Sequence, residues 1–158
     1  MVSSFGKTYH VTGWKVGYVL APRELMLEFR RVHQFVVFTV NTPVQLALAE
    51  YMADASIHLG LAAFYQRKRD LFRAGLAGTR LRVLPCEGTY FQLASYAGLT
   101  EERDDALAER LTRESGVASI PVSAFYQDPS HDPVLRFCFA KNDDTLARAC
   151  ERLAKARW

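Results

Sequence analysis

Charge of one sign is missing from this chain. Its 158 residues hold 20 basic and 17 acidic side chains, leaving a formal charge of only +3. The basic residues are interleaved with acidic or apolar ones and form no stripe of the kind that tracks a nucleic-acid backbone. The densest basic cluster, Gln66-Arg67-Lys68-Arg69, reads as a solvated helix face. Cysteine is scarce: Cys86, Cys138 and Cys150 are an odd set without zinc-ligand spacing or the even count of a disulfide framework. Cys138 and Cys150 lie in apolar patterns and read as small core residues, which suits a reducing compartment. His33, His58 and His131 lack metal-ligand spacing and read as ordinary surface or core histidines. No apolar run approaches the roughly 20 residues of a membrane span. No charged segment followed by an apolar one opens the chain as a secretory signal does. Repeats and low-complexity tracts are absent. These absences lead us to expect a soluble, cytoplasmic protein that binds neither nucleic acid nor membrane.

What is present is an ordinary globular balance, 49% apolar and 23% charged, in a length that suits one domain or one domain plus a remnant of another. Val16 to Leu20 reads as a short buried strand. A helix follows from Pro22 through Leu27 and Arg31, and the β-rich stretch Phe35 to Val40 is expected to disturb it. A second helix starts near Asn41-Thr42-Pro43 and carries Leu46, Ala49, Glu50 and Ala53. Leu61, Phe64, Lys68, Leu71 and Phe72 recur at helical spacing up to Gly75 and Gly78. Strands are expected at Leu81 to Leu84 and Thr89 to Ala94, then a helix from Asp104-Asp105 to a stop at Gly116. Val117 to Val122 reads as a strand that Pro121 confines to an edge. Val134 to Ala140 alternates, with Leu135, Phe137 and Phe139 on one face and Arg136 and Cys138 on the other. Asn142 is placed to cap a last helix with the stripe Leu146, Ala149, Cys150 and Leu153. The pattern predicts an α/β class, helices layered on a small sheet, rather than a long parallel array.

Chemistry concentrates in Ser3-Ser4-Phe5-Gly6-Lys7-Thr8-Tyr9-His10-Val11-Thr12-Gly13-Trp14-Lys15-Val16-Gly17. Ser4 stands three residues before Lys7 and Lys15 eight after it. A hydroxyl and ammonium groups suit a compact anion such as a phosphate. Gly6-Lys7-Thr8 is not a nucleotide-binding phosphate loop, because the glycine that motif needs falls at Met1. Taken alone, Lys7 reads as a surface lysine; the company of Ser4, Gly13, Lys15 and Gly17 sets it apart. Far downstream, Leu135-Arg136-Phe137-Cys138-Phe139 puts an arginine on a strand that otherwise reads as core, where it is costly unless it meets an anion. A salt bridge to a helix carboxylate and a bound carboxylate both answer that need.

Together these phrases resemble the fold-type I aminotransferases of class I and II that depend on pyridoxal 5'-phosphate. Within them the likeness is to the branch acting on methionine, aromatic amino acids and kynurenine, where Lys rather than Arg stands at the position of Lys15. Further phrases agree: Glu87-Gly88-Thr89-Tyr90-Phe91, Ile120-Pro121-Val122-Ser123-Ala124-Phe125, His33-Gln34 and Asn41-Thr42-Pro43-Val44-Gln45. The resemblance implies that Lys7 is the catalytic lysine that carries the cofactor, that Ser4 and Lys15 bind its phosphate, and that Arg136 binds the α-carboxylate of the substrate. It places Tyr9 and His10 near the cofactor, and Tyr90 and Phe125 at the pocket wall or in the core. It implies transfer of an amino group from an amino acid to a 2-oxo acid by a homodimer. Residues 1–45 become a remnant of the large cofactor-binding domain with the start of the interdomain helix, and 46–158 the small C-terminal α/β domain.

In that family the lysine lies past the middle of the chain, so this sequence is expected to be a C-terminal part, inactive alone. The Asp for the pyridine nitrogen, the Asn and Tyr for the ring hydroxyl, the aromatic stacker and the phosphate-binding helix start are not in it. Leu25, Leu27, Phe29, Val36 and Val37 are expected to lack a cover, which lowers solubility. Alternatives are a non-catalytic module that completes a separately encoded N-terminal half, or a β-lyase of the same fold.

Overall fold

In a computed structural model that describes residues 1–127 and 132–158, the chain opens as a tight antiparallel ribbon. Strand β1 (Val2–Ser4) pairs with β2 (Gly17–Val19), and Ser4 faces Gly17. A Cβ on Gly17 would stand 2.5 Å from the Ser3 carbonyl oxygen, so a glycine is what lets the two backbones approach. Between them lie the short helix α1 (Phe5–Thr8) and a 3-10 turn at Thr12–Trp14. His131 lies outside the described residues.

The chain divides into two units, Met1–Ala62 and Ala63–Trp158; the sequence reading put its boundary at residue 45. In the first unit, α2 (Arg23–Val36), α3 (Thr42–Tyr51) and α4 (Ser56–Leu59) follow the ribbon. The helix α2 runs five residues beyond Arg31 to Val36, through the start of the β-rich stretch. The low helix propensity of β-branched and aromatic residues costs only about 0.5 kcal/mol each, and backbone hydrogen bonding outweighs it. It stops where the amides of Val37 and Phe38 both donate to the His33 carbonyl and Phe38 turns left-handed at φ 67°. The next helix starts on Asn41, whose side-chain oxygen accepts from the Val44 amide at 3.2 Å. Tyr9, Val16 and Leu48 form the small core, with Phe5, Val11, Val40, Val44 and Ile57 against it. Nothing in α2 is buried: Leu25, Phe29, Val32 and Phe35 are all exposed, as are Leu27, Val36 and Val37.

The second unit is a four-stranded antiparallel sheet of order β3-β4-β6-β5, made of Arg82–Val83, Phe91–Ser95, Val134–Cys138 and Ile120–Pro121 respectively. Three helices, α5 (Leu61–Leu76), α6 (Asp104–Arg110) and α7 (Asp143–Ala154), share one core with Leu135 and Phe137 of β6. They therefore cover one face of the sheet. Close packing of α5 on α7 depends on Gly75, where a Cβ would meet the Cys150 sulfur at 2.6 Å. The helix expected to run to Gly116 instead turns π-helical over Leu111–Ser115 before Gly116 stops it at φ 63°. The expected strand from Val117 shrinks to Ile120–Pro121 and gives way to a 3-10 turn at Val122–Phe125. Asn142 does sit at the start of α7, but its side chain makes no capping bond. No helix among the described residues is long and apolar enough to cross a membrane.

Two polar residues are buried, the first of them against expectation. Lys68, assigned above to a solvated face, is only 7% exposed. Its ammonium donates to the Lys141 carbonyl at 2.8 Å and pairs with Asp143, tying α5 to the start of α7. The apolar spacing of α5 hides this, because a lysine buries its stem as readily as a leucine. Tyr96 is fully buried and donates to the Glu102 carbonyl at 2.9 Å. Burial, and then the nearness of Asp104 and Glu102, push its phenol from 10.0 up to about 12. The protonated form is the one the fold favours, so this contribution is complete below pH 10 and lost as pH rises towards 12. Urea unfolding should show roughly 2–3 kcal/mol of lost stability over that window, and Tyr96→Phe should flatten this part of the profile. An unchanged slope in the variant would contradict the assignment.

Candidate active site

The loop from Ser4 to Gly17 closes on itself through its own backbone. Ser4 Oγ accepts from the Gly6 amide at 3.1 Å and caps α1. The Gly6 carbonyl accepts from the Val11 amide at 2.9 Å and from Thr12 Oγ1 at 3.1 Å. The Phe5 amide donates to the Val16 carbonyl at 3.1 Å, which fixes where the loop re-enters β2. Below it Tyr9 and Val16 are buried, while Lys7 and Lys15 are exposed. Lys15 sits in the left-handed region at φ 54° and His10 at 58°, two strained non-glycine residues in one loop.

This closure sets the three residues of the motif in relation. Ser4 faces Gly17 across the ribbon, Lys15 precedes β2 as the left-handed residue that ends the 3-10 turn, and Lys7 lies one helical turn beyond Ser4. Among the described residues neither lysine forms an ion pair. No carboxylate occurs before Glu24, so the first 23 residues carry only cationic and neutral side chains. A hydroxyl and two unpaired ammonium groups in a segment without acid match a dianionic phosphate and an aldehyde-bearing ring. On donor chemistry the loop fits pyridoxal 5'-phosphate. A cavity of about 460 Å³ next to the loop is lined by Ser3, Ser4, Phe5, Thr8, Tyr9, Tyr18, Met52 and His58, and neither lysine lines it. Among the described residues no group of three or more His, Cys, Asp or Glu is placed to hold a metal ion.

Arg136 belongs to the second unit. It projects from β6 on the face of the sheet that the helices leave, opposite Leu93 on β4 and Ile120 on β5. Its guanidinium lies between two rings, with its carbon 4.1 Å from the Phe91 centroid and 4.6 Å from that of Phe125. Its Nε is buried and makes no hydrogen bond, and no carboxylate among the described residues pairs with it. The salt-bridge reading left open above is thus not the one the structure shows. A half-buried guanidinium whose Nε has no acceptor among the described residues suits an incoming carboxylate.

Ser4, Lys7 and Lys15 all lie in the first unit, where Ser4 lines the cavity and neither lysine does, and Arg136 has its own aromatic setting in the second. Phe91 was missed as a site residue: the sequence reading singled out its neighbour Tyr90. Strand alternation carries the signal, since Phe91, Leu93 and Arg136 share a face once β4 is paired with β6. Asp104 and Ser123 were also missed. Asp104 is buried and accepts from the Ser123 amide at 2.8 Å and from Ser123 Oγ at 2.7 Å.

A lysine loop of this kind ahead of a small α/β domain with a ring-flanked arginine defines a class of pyridoxal-phosphate-dependent transferase. The family model of aminotransferase class I and II matches residues 1–153, and the chain belongs to that family, whose members are pyridoxal-phosphate-dependent. Methionine aminotransferase of Escherichia coli is 51% identical over 153 residues, 96% of this chain and 40% of that protein. A kynurenine–oxoglutarate transaminase of Dictyostelium discoideum is 34% identical over 99% of this chain and 41% of its own length. A solved structure of the E. coli methionine aminotransferase superposes with a TM-score of 0.91 at 50% identity, covering 98% of this chain and 41% of that one. The N-succinyldiaminopimelate aminotransferase of Mycobacterium tuberculosis gives 0.82 at 34% identity, over 98% and 41%. The chain therefore spans about 40% of the length of the relatives it matches. The α/β fold expected from the sequence agrees with these structures.

Proposed function

We propose that this chain supplies the lysine, phosphate and carboxylate sites of an enzyme that moves an amino group from an amino acid of the methionine, aromatic or kynurenine type to a 2-oxo acid. The observation that carries this reading is the loop closed by its own backbone, which carries Ser4, Lys7 and Lys15 in a segment without carboxylates. Lys7 holds the cofactor through its side-chain nitrogen. The Ser4 hydroxyl and the Lys15 ammonium hold the phosphate, Lys15 as a point charge rather than a fork. Arg136 takes the α-carboxylate of the amino acid in its guanidinium plane, and Phe91 and Phe125 restrict the approach to that plane. When bound, the cofactor supplies an electron sink for the pair left at the α-carbon. With the cofactor in place, Lys7 Nζ would move the α-proton as general base.

The remaining share of the family fold belongs to the same reading. It covers the exposed apolar side chains of α2, and the whole works as a homodimer. The β-lyase alternative differs in its products. A protein carrying this segment with the rest of the fold, given pyridoxal 5'-phosphate, ¹⁵N-methionine and a 2-oxo acid, should place the label in a new amino acid. Labelled ammonia released without any 2-oxo acid would overturn transamination in favour of a lyase.

A further inference from the structure

We infer that Asp104 is a positioning residue for the carboxylate-binding face of Arg136, acting through Ser123 and Phe125. This rests on the reading of Arg136 as the carboxylate site. Phe125 is 60% exposed, yet its ring stacks on the Arg136 guanidinium. Burial does not hold a ring with that much of its surface in water, so the backbone that carries it must. That backbone is the 3-10 turn Val122–Phe125, which follows the two-residue strand β5. Beyond the pairing of Ile120 and Pro121 with β6, the turn is fastened by the two hydrogen bonds from Ser123 to Asp104.

Asp104 itself is 2% exposed and makes no salt bridge among the described residues. A carboxylate so deeply buried needs hydrogen-bond donors, and those it has are the amide and hydroxyl of Ser123. Asp104 lies in the first turn of α6, where a negative charge is favourable. The core contacts of Leu107 and Leu111 hold that helix. The rigid core of the second unit is thereby linked, through one carboxylate and one serine, to an exposed ring lying over the arginine. With Phe125 and Phe91 both against the guanidinium, a planar carboxylate is favoured over a bulkier anion. With Phe125 released, one face of the guanidinium opens to water and the cation is screened.

The test is the Arg136 Nε–Hε signal in NMR spectra of the chain, which two flanking rings move upfield of exposed arginines. Asp104→Ala and Ser123→Ala should both move it towards the exposed position. Asp104→Asn, which keeps an acceptor oxygen for Ser123, should move it least. The affinity for 3-phenylpropionate, read from the same signal, should fall about five-fold in Ser123→Ala, the worth of one partly exposed cation–π contact. Should Asp104→Ala fail to fold, Ser123→Ala carries the test, since it removes only a hydroxyl. A lowered melting temperature with the Arg136 signal unmoved in these variants would overturn the proposal, leaving Asp104 a purely structural residue. A parent signal that ignores 3-phenylpropionate would instead overturn the carboxylate reading. The ring-shift comparison needs no ligand and stands apart from that outcome.

Discussion

Arg136→Leu is expected to weaken binding of a substrate carboxylate about 100-fold, the effect of removing one partner of a desolvated, charge-assisted pair. The same change should leave the fold as stable as before, or more so. In the free protein the guanidinium has a buried Nε with no acceptor, and an unsatisfied buried donor costs about 1–3 kcal/mol. A leucine on this face trades that cost against the loss of contact with Phe91 and Phe125. Arg136→Lys should recover little of the affinity, because an ammonium lacks the planar fork that matches a carboxylate. Titration with 3-phenylpropionate, followed in parallel with thermal melting, separates the two quantities. Unchanged affinity, or a fall in melting temperature as large as a core deletion causes, would show Arg136 to be a structural residue.

Gly17→Ala is expected to damage the lysine loop, whereas Gly13→Ala is not. Both glycines belong to the motif, but their surroundings differ. A Cβ at Gly17 meets the Ser3 carbonyl oxygen at 2.5 Å and Ser4 Cα at 3.4 Å, while a Cβ at Gly13 finds nothing within 4 Å. The obstacle at Gly17 is backbone, so β1 must move away from β2. Overpacking of this kind costs about 1–3 kcal/mol, a large fraction for a unit whose buried core is Tyr9, Val16 and Leu48. The strand that moves carries Ser4, so the proposed phosphate site loses its geometry along with its stability. Faster hydrogen exchange of the Leu20 and Phe5 amides, which donate to Met1 and Val16, and at least ten-fold weaker capture of pyridoxal 5'-phosphate should follow in Gly17→Ala. Equal behaviour of the two variants would mean that the motif glycines serve some purpose other than this close approach.

Most of the second unit was legible because its periodicities are strong. The alternation around Arg136 puts Leu135, Phe137 and Phe139 in the core as expected, and the stripe Leu146, Cys150 and Leu153 is buried. Errors came where a local preference met a competing force. Phe35 and Val36 favour strands, yet they continue α2, since no proline or glycine stops the helix earlier. Lys68 follows the apolar stripe of α5 and is buried with it, its charge answered by Asp143 and the Lys141 carbonyl, groups more than 70 residues away. Partners at that separation cannot be read from local pattern. The site divides in the same way. The lysine loop is a local motif with its residues within one short run, so it was visible at once. The setting of Arg136 is not local: Phe91 meets it through strand pairing, and Phe125 from the turn after β5 that Ser123 ties to Asp104.

The measurement that bears most directly on the central claim is borohydride reduction of the chain with pyridoxal 5'-phosphate, followed by peptide mapping of the lysine that retains the cofactor. The result expected is one dominant site at Lys7, lost in Lys7→Ala and weakened in Ser4→Ala and Lys15→Ala, with the other lysines labelled only at the level of denatured chain. Label spread over several lysines, with the same distribution in Lys7→Ala, would contradict the assignment of Lys7 as the residue that holds the cofactor.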